Sequence, residues 1–227
     1  MLKVRPERMP VAKAILVVDD HPLMRRGLAA LIGDEPDLRV CAEAKNCHEA
    51  LQAIARRALD LAIVDLSLEG GEDGLDLVRI LKSRPAPIPT LVLSMYPEAV
   101  YAERALRAGA RGYLTKRQLG DEALVAIRRV LSGRLYMSET LEMDLTSRFI
   151  SGKGALTLPA TLSDRELQVF RLIGEGRRTR EIAPILNLSS KTIESYREHL
   201  KQKLCIDSSP ELVRRAVRFV ETGEIVG

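Results

Sequence analysis

Short apolar runs alternate with longer amphipathic stretches between residues 14 and 132. The runs have the length of buried strands, and the stretches repeat their apolar positions at helical spacing. Strands that are apolar throughout are typical of a parallel sheet covered by helices on both faces. The predicted strands are 15–18, 38–42, 61–64, 90–93 and 112–114, and the predicted helices are 23–32, 48–57, 75–83, 98–108 and 120–131. The pattern therefore predicts an α/β domain with a five-stranded, doubly wound parallel sheet.

The strand pattern ends after residue 132, and a second, all-α domain is predicted beyond a linker. The linker, residues 133–158, is rich in Gly and Ser and contains one helical stretch at 139–150. Ser163 followed by Glu166 is a capping box that begins the next helix. Further helices are predicted at 180–186, 190–204 and 209–221, which gives a domain at 159–227 and an N-terminal extension at 1–13.

Composition narrows this picture only slightly. Aromatic residues make up 4% of the chain and Trp is absent, so both cores have to be built from aliphatic side chains. The net charge of +4 and the pI near 9.0 allow a nucleic-acid partner without requiring one. Cys41, Cys47 and Cys205 are odd in number and lack metal-ligand spacing, so we expect reduced thiols. The basic N-terminus is interrupted by Pro6 and Pro10 and is typical of neither a signal peptide nor a membrane anchor, so we expect a cytoplasmic protein.

Polar residues follow four of the predicted strands, at the point where each apolar run ends. They are Asp19 and Asp20, then Asp65, then Ser94, and finally Lys116. Because the carboxyl ends of parallel strands form the ligand crevice of an open α/β sheet, we expect these groups to meet at one edge. Three neighbouring carboxylates need a cation, and Mg²⁺ suits oxygen ligands. An Asp beside that ion can act as a nucleophile toward phosphorus, with Ser94 and Lys116 directed at the phosphoryl oxygens.

Each of these residues also has an ordinary explanation when it is taken alone. An Asp pair after a strand is often a helix cap, and Ser94 could cap a helix in the same way. Lys116 could be a solvated surface charge, and Tyr113 could simply be a core residue. The coincidence of suitable residues at four successive strand ends favours the site. His21 is interpreted as a surface residue at the start of a helix and not as a ligand.

The segments ILVVDDHPLMRRGL, LAIVDLSL, TLVLSMY and AGARGYLTK, in this order, resemble the receiver domain of two-component response regulators of the NarL/FixJ subfamily. The resemblance implies that Asp65 is the phosphoacceptor, that Asp20 binds Mg²⁺ directly, and that Asp19 acts mainly through water. It further implies the Ser67 carbonyl as a ligand, Ser94 and Lys116 as phosphoryl contacts, and Tyr113 as a switch residue that turns inward. Two departures are the loop LSLEGGEDG, which lacks the usual Pro and is about one residue longer, and Arg117 where many receivers have Pro.

In the second domain, two short helices are joined by a tight turn, the arrangement of a helix-turn-helix whose second helix enters the DNA major groove. We expect Thr179 to cap the first helix, Asn187 to supply the turn and Ser189 to cap the second. On the second helix, Ile193, Leu200 and Leu204 form the predicted buried stripe. The more exposed positions are expected to be Lys191, Thr192, Glu194, Ser195, Arg197, Glu198 and Lys201.

Residues 162–204 resemble the LuxR-type helix-turn-helix. The resemblance implies that Glu194 and Ser195 lie toward the bases, and that Lys191, Arg197 and Lys201 lie nearer the backbone. Thr179 and Thr192 are the other predicted DNA contacts. Local charge agrees with a DNA partner, since seven basic residues face three acidic ones between Gly176 and Lys203. Helix 209–221 carries an apolar stripe that either core packing or, by resemblance, dimer contacts would explain.

Together these features predict a regulator that is not an enzyme beyond its own phosphoryl transfer. Its expected partners are double-stranded promoter DNA, a sensor histidine kinase and a second copy of the chain, with RNA polymerase as a further candidate and no membrane. Two alternatives remain open. An aspartate-nucleophile phosphatase of the haloacid dehalogenase type would need an Asp where Ser67 stands, and a constitutive DNA-binding protein would have a receiver that no longer takes phosphate.

Overall fold

The computed structural model describes residues 12–68, 72–150 and 161–223, and these form an α/β domain followed by a helical domain. The five strands are β1 (Lys13–Val18), β2 (Leu38–Ala44), β3 (Leu61–Val64), β4 (Thr90–Ser94) and β5 (Gly112–Thr115). The helices of the first domain are α1 (Pro22–Gly33), α2 (Cys47–Arg56), α3 (Gly74–Ser83), α4 (Glu98–Ala108) and α5 (Asp121–Leu131). The predicted α/β fold is confirmed, and most predicted bounds lie within two residues of these.

All strands of the sheet are parallel, and their order is β2-β1-β3-β4-β5. The order reverses between β1 and β3, so the loops that follow these two strands diverge and leave a crevice. Alternate strand residues face opposite layers: Ile15 and Val17 pack with α1 and α5, whereas Leu16 and Val18 pack with α2, α3 and α4. The Asp residues after β1 and β3 therefore lie at the mouth of that crevice.

The segment after α5 remains attached to the sheet. Tyr136 forms a parallel bridge with Gly112, and its carbonyl accepts a hydrogen bond of 3.1 Å from the Tyr113 N–H. The predicted linker helix forms as α6 (Glu139–Ile150). The first residues of the predicted linker thus extend the edge of the sheet, and residues 151–158 of that linker lie outside the described residues.

The second domain contains α7 (Asp164–Gly174), α8 (Thr179–Ile185), α9 (Ser190–Lys203) and α10 (Ser209–Thr222). Helix α7 begins with the predicted capping box, in which Ser163 and Glu166 satisfy each other's backbone N–H groups. Helices α7 and α10 pack so closely that a Cβ atom at Gly174 would lie 2.2 Å from the carbonyl oxygen of Ala216. No helix among the described residues is both long and apolar enough to cross a bilayer.

The two domains pack against each other. The buried cluster on the α3–α4 side of the sheet continues without interruption into Leu167 and Phe170 of α7 and Phe219 of α10. Asp164, the first residue of α7, forms ion pairs with Arg79 of α3 and, at 2.7 Å, with Arg104 of α4. The helical domain therefore lies beside the carboxyl-end edge of the sheet.

Candidate functional site

The acidic residues at the ends of β1 and β3 meet, as the sequence predicts. Ligand atoms of Asp19, Asp20, His21 and Asp65 all lie within 4.8 Å of one another. The meeting follows from the register of the sheet, because β1 pairs with β3 up to Val18 and Val64 and each strand is followed at once by its Asp. Asp19 and Asp65 are buried, whereas the Asp20 side chain is 27% exposed. Asp20 is thus the carboxylate most open to an arriving ion.

Lys116, the first residue after β5, extends into this cluster. Its ammonium lies 2.6 Å from Asp19 Oδ2 and 2.8 Å from Asp65 Oδ2, and its side chain is 2% exposed. Burial alone would lower the pKa of Lys116, but the charges and hydrogen bonds of the two carboxylates outweigh it and raise that pKa. Lys116 is therefore a cation at neutral pH, placed against the predicted nucleophile.

Burial also dominates at Asp65. It raises the pKa of this carboxyl to about 6, although the charge of Lys116 and its hydrogen bond act in the opposite direction. The carboxyl is still mainly ionised at neutral pH, the form that can attack phosphorus. A nucleophile in a partly desolvated crevice beside a fixed cation is suited to the transfer of an anionic group.

The cluster has the chemistry of a magnesium site. Three carboxylates and one ammonium leave a local charge of −2, if His21 is neutral, and carboxylate oxygens are the ligands that Mg²⁺ prefers. Among the described residues, the buried atom Asp20 Oδ1 has no hydrogen-bond donor, although His21 Nδ1 lies 2.6 Å from it. The residues therefore fit a divalent cation, and Asp20 is the most accessible of the three carboxylates.

His21 is the residue of this cluster that sequence reasoning set aside. Its position is as predicted, because it precedes α1 as the N-cap and its side chain is 62% exposed. However, its side chain makes no capping hydrogen bond, and the ring is directed at Asp19 and Asp20 instead. The sequence indicated that His21 lies near the acidic cluster, since His21 directly follows Asp19 and Asp20.

Ser94 and Tyr113 lie next to the cluster on the neighbouring strands β4 and β5. Ser94 is fully buried, and its hydroxyl oxygen accepts a hydrogen bond of 3.3 Å from the Tyr96 N–H. Tyr113 points inward with 1% exposure, and its hydroxyl donates to the Tyr96 carbonyl at 2.8 Å. The predicted switch aromatic thus already occupies the interior, in contact with the loop that follows Ser94.

The loop after β3 brings Ser67 close to the same point. A Cβ atom at Gly74 would lie 2.0 Å from the Asp65 carbonyl oxygen, so the start of α3 can approach the strand only because residue 74 is Gly. The Ser67 hydroxyl is hydrogen-bonded to the hydroxyl of Tyr96. The lengthened part of this loop, residues 69–71, lies outside the described residues.

The predicted helix-turn-helix forms in the second domain. Asn187 takes a positive φ of 53° between α8 and α9, and the Ser189 side chain caps α9 by accepting from the Thr192 N–H. Asn tolerates this left-handed conformation better than most residues, which explains the short turn. Ile193, Leu200 and Leu204 are buried, as the stripe predicts.

The expectation that Thr179 caps α8 is wrong. Arg178 occupies the cap position with extended backbone, and its N–H donates to the Glu181 side chain at 2.7 Å. Glu181 accepts from the backbone N–H at the start of α8, so the Thr179 hydroxyl is not needed as a cap. It donates instead to Glu194 at 2.6 Å. This hydrogen bond joins α8 to α9 through two residues that are predicted to contact DNA.

The other predicted DNA contacts divide into two groups. Lys191, Glu194 and Ser195 are exposed, and Thr192 is partly buried beside the cap. Arg197 and Lys201 are less exposed than predicted, with side chains 14% and 18% accessible. The long aliphatic parts of these two side chains lie along the helix surface while their charged ends pair with Glu194 and Glu198.

Family models match both domains. Residues 15–128 match the response regulator receiver domain, and residues 160–216 match the bacterial regulatory proteins of the luxR family. The oxygen regulatory protein NreC of Staphylococcus aureus is 34% identical over 209 residues, which cover 90% of this chain and 96% of that protein.

Solved structures show similar folds. A LuxR-family two-component response regulator from Aurantimonas sp. SI85-9A1 is 31% identical, with a TM-score of 0.56 over 61% of this chain and 99% of that chain. RcsB from Salmonella enterica serovar Typhimurium, bound to the promoter rprA in the presence of the phosphomimetic BeF3-, is 24% identical, with a TM-score of 0.64. That likeness covers 89% of this chain and 97% of RcsB, and at this identity it supports the fold alone.

Proposed function

Because this chain belongs to the response regulator family, with a receiver domain followed by a LuxR-type DNA-binding domain, we propose that phosphorylation of Asp65 controls its binding to promoter DNA. The observation that carries this proposal is the position of Asp65. Its carboxylate lies in a crevice 2.8 Å from the Lys116 ammonium and close to the acids Asp19 and Asp20. That arrangement serves a nucleophile that receives an anionic group.

In the proposed transfer, a carboxylate oxygen of Asp65 attacks the phosphorus of a phosphohistidine on a sensor kinase. The phosphorus–nitrogen bond breaks, the kinase histidine leaves, and Asp65 becomes an acyl phosphate. A bound Mg²⁺ would neutralise charge on the phosphoryl oxygens. Asp20, Asp65 and the Ser67 carbonyl would hold this ion directly, and Asp19 would act mainly through water. Lys116 and Ser94 then contact the phosphoryl oxygens as cation and hydroxyl donor.

In the second domain, α9 is proposed to enter the major groove. Glu194 and Ser195 would face base edges, and Glu194 is held in place by Thr179 and, at 3.8 Å, by Arg197. A carboxylate on this surface is unfavourable near phosphates unless it accepts a hydrogen bond, as from a cytosine amino group. Lys191, Arg197 and Lys201 would contact the DNA backbone, and Thr179 and Thr192 would be further DNA contacts.

The active form is proposed to be a homodimer in the cytoplasm. Leu212 and Ala216 of α10 are buried within the domain, whereas Val213 and Val220 are 38% and 41% exposed. The exposed parts of these two valines are available to a second copy. RNA polymerase is a further proposed partner when the dimer lies on a promoter.

Incubation with acetyl phosphate and Mg²⁺, followed by intact-mass measurement, tests the proposal. Wild type should gain one phosphoryl group, Asp65→Asn should gain none, and Asp76→Asn, which removes an exposed carboxylate of α3, should behave as wild type. Phosphorylated wild type should then bind DNA fragments selected from the genome more tightly than Asp65→Asn. Absence of an Asp65-dependent phosphate adduct would refute the proposed function and favour a constitutive DNA-binding protein. Sustained release of inorganic phosphate from small phosphoesters would favour a phosphatase.

A further inference from the structure

Tyr96, the second residue after β4, contacts the phosphorylation site through its backbone. Its N–H donates to Ser94 Oγ at 3.3 Å, and its carbonyl accepts from the Tyr113 hydroxyl at 2.8 Å. Of these two partners, Ser94 is proposed to contact the phosphoryl group on Asp65, and Tyr113 lies on the neighbouring strand. The backbone conformation of Tyr96 therefore depends on the positions of the two residues.

The side chain of Tyr96 extends from this point toward the DNA-binding domain. Its hydroxyl is hydrogen-bonded to Ser67, two residues after Asp65, and its ring stacks on Tyr101 with centroids 4.7 Å apart. The guanidinium of Arg171, on α7, lies over the same ring at 4.7 Å from its centroid. This distance is within the range of a cation–π interaction, which is stronger where water is excluded, and the Arg171 side chain is 17% exposed. Tyr96 thus touches Ser67, Ser94 and Tyr113 on one side and α7 on the other.

A second attachment between the domains does not pass through these residues. Asp164 pairs with Arg79 and Arg104, and the Arg104 guanidinium also donates to the Leu162 carbonyl at 2.7 Å. Arg79 and Arg104 are on α3 and α4, and the contacts that they make here do not include Ser94 or Tyr113. The strength of this attachment should therefore be the same whether or not Asp65 carries phosphate.

Building on the proposed function, we propose that Tyr96 is a positioning residue that transmits the phosphorylation state of Asp65 to the DNA-binding domain through Arg171. When Ser94 is drawn to the phosphoryl oxygens, the Tyr96 N–H loses its acceptor and the ring moves from beneath the guanidinium. Removal of one cation–π contact shifts the balance between attached and separated domains by about 2- to 30-fold. The two domains then separate on phosphorylation.

The attached arrangement leaves the DNA-reading side of α9 uncovered, since Lys191, Glu194 and Ser195 are exposed. The contact between the domains therefore restricts the position of the DNA-binding domain relative to the receiver domain. It does not cover the DNA-reading side of α9. The end of α10 is also held, because a Cβ atom at Gly223 would lie 3.2 Å from Pro97 in the loop that contains Tyr96. Release should thus favour binding to two half-sites by a dimer more than binding to a single half-site.

The test compares full-length variants by small-angle X-ray scattering, with and without acetyl phosphate and Mg²⁺, while intact mass reports phosphate on Asp65. Wild type should expand on phosphorylation. Tyr96→Leu and Arg171→Met should be expanded in both states and should still take phosphate, so that little further change is seen. Arg104→Met should also shift the unphosphorylated protein toward expansion, but it should keep the phosphate-dependent increase.

The matched comparison is between Arg171→Met and Arg104→Met, since each removes one interdomain guanidinium. The same variants are assayed on DNA fragments, selected in vitro with wild type, that carry one or two half-sites. Phosphate should strengthen two-site binding in wild type and Arg104→Met, but much less in Arg171→Met. Circular dichroism of both variants checks folding.

The inference is overturned if phosphorylated wild type does not expand. It is also overturned if Tyr96→Leu and Arg171→Met expand from the same starting size as wild type and by the same amount. A wild type that takes no phosphate at Asp65 refutes the proposed function itself, and the inference with it. The two failures are therefore distinguished by the mass measurement on wild type.

Discussion

The ammonium of Lys116 donates a hydrogen bond of 2.8 Å to the carboxylate of Asp65, a residue 51 positions earlier in the chain. The same ammonium lies 2.6 Å from Asp19, so one buried cation serves two buried acids. Neither acid would be stable as an ion in this crevice without that cation, because burial penalises an unpaired charge. The site is thus assembled around a lysine that also contributes to the stability of the fold.

We predict that Lys116→Met lowers the free energy of unfolding by about 3–5 kcal/mol, because the change leaves two buried carboxylates without their cation. Urea denaturation in buffer without divalent ions measures this difference. Lys13→Met is the matched control, since Lys13 pairs with Asp60 at 2.9 Å where the lysine side chain is 52% exposed. That change should cost less than about 1 kcal/mol. Equal losses in the two variants would contradict the role assigned to the buried pair.

Asp20→Asn should have opposite effects on stability with and without magnesium. Without the ion, the change removes one of three neighbouring like charges and should stabilise the protein slightly. With Mg²⁺ at about 100 times its Kd, wild type should gain about 2.7 kcal/mol, and the variant should lose most of that gain. Thermal denaturation with and without MgCl₂ measures both effects. Asp76→Asn, an exposed acid outside the cluster, should leave the magnesium response intact, and loss of the response there as well would indicate non-specific ion binding.

The sequence carries enough information to predict the acid–lysine site because each member lies at or just beyond the end of an apolar strand. Once a parallel sheet is recognised, Asp19, Asp65, Ser94 and Lys116 have to lie at the same edge, whatever their distance along the chain. The orientation of His21 could not be predicted in the same way. Its position before α1 is local information, whereas the direction of its ring depends on the finished crevice.

The contact between Tyr96 and Arg171 could not be predicted from sequence patterns. Tyr96 stands in a loop, and Arg171 occupies a polar position of an amphipathic helix, where a solvent-facing charge is the usual expectation. Their contact depends on how two domains pack, and no local periodicity encodes that arrangement. Thr179 was misassigned for a different, local reason. Glu181, three residues after Arg178, accepts from the Arg178 N–H, so the cap position lies one residue before Thr179.

Glu194→Ala is predicted to change which DNA sequences are bound more than how tightly DNA is bound overall. If Glu194 accepts from a base, its removal should reduce discrimination at one base pair by about 1–3 kcal/mol. Selection of binding sequences from a random pool by each variant measures this change. Lys191→Gln is the comparison, since a lost phosphate contact should weaken all sequences alike and reduce the salt dependence of log K by about 1. Unchanged discrimination in Glu194→Ala would place Glu194 away from the bases.

Glu166→Gln is predicted to destabilise the second domain in a pH-dependent manner. Glu166 Oε2 accepts from the Ser163 N–H and from Lys203 Nζ, both at 2.7 Å. Burial would raise the pKa of Glu166, but the Lys203 and Ser163 contacts together lower it below the usual value of 4.5. Because Lys203 is 41% exposed, we expect a cost at pH 7 of only about 1–2 kcal/mol.

The sign of the pH dependence follows from the lowered pKa. An acid whose pKa is lower in the folded state contributes its stability above the unfolded pKa and loses it as the pH falls through the folded pKa. The difference between wild type and Glu166→Gln should therefore be full at pH 7 and shrink below about pH 4.5. Urea denaturation of both proteins at pH 7 and at lower pH measures the difference, so acid effects common to both cancel. Glu198→Gln, which removes an exposed carboxylate paired with Lys201, should differ little from wild type throughout. A cost for Glu166→Gln that stays constant down to pH 3 would show that its carboxylate charge does not stabilise the domain.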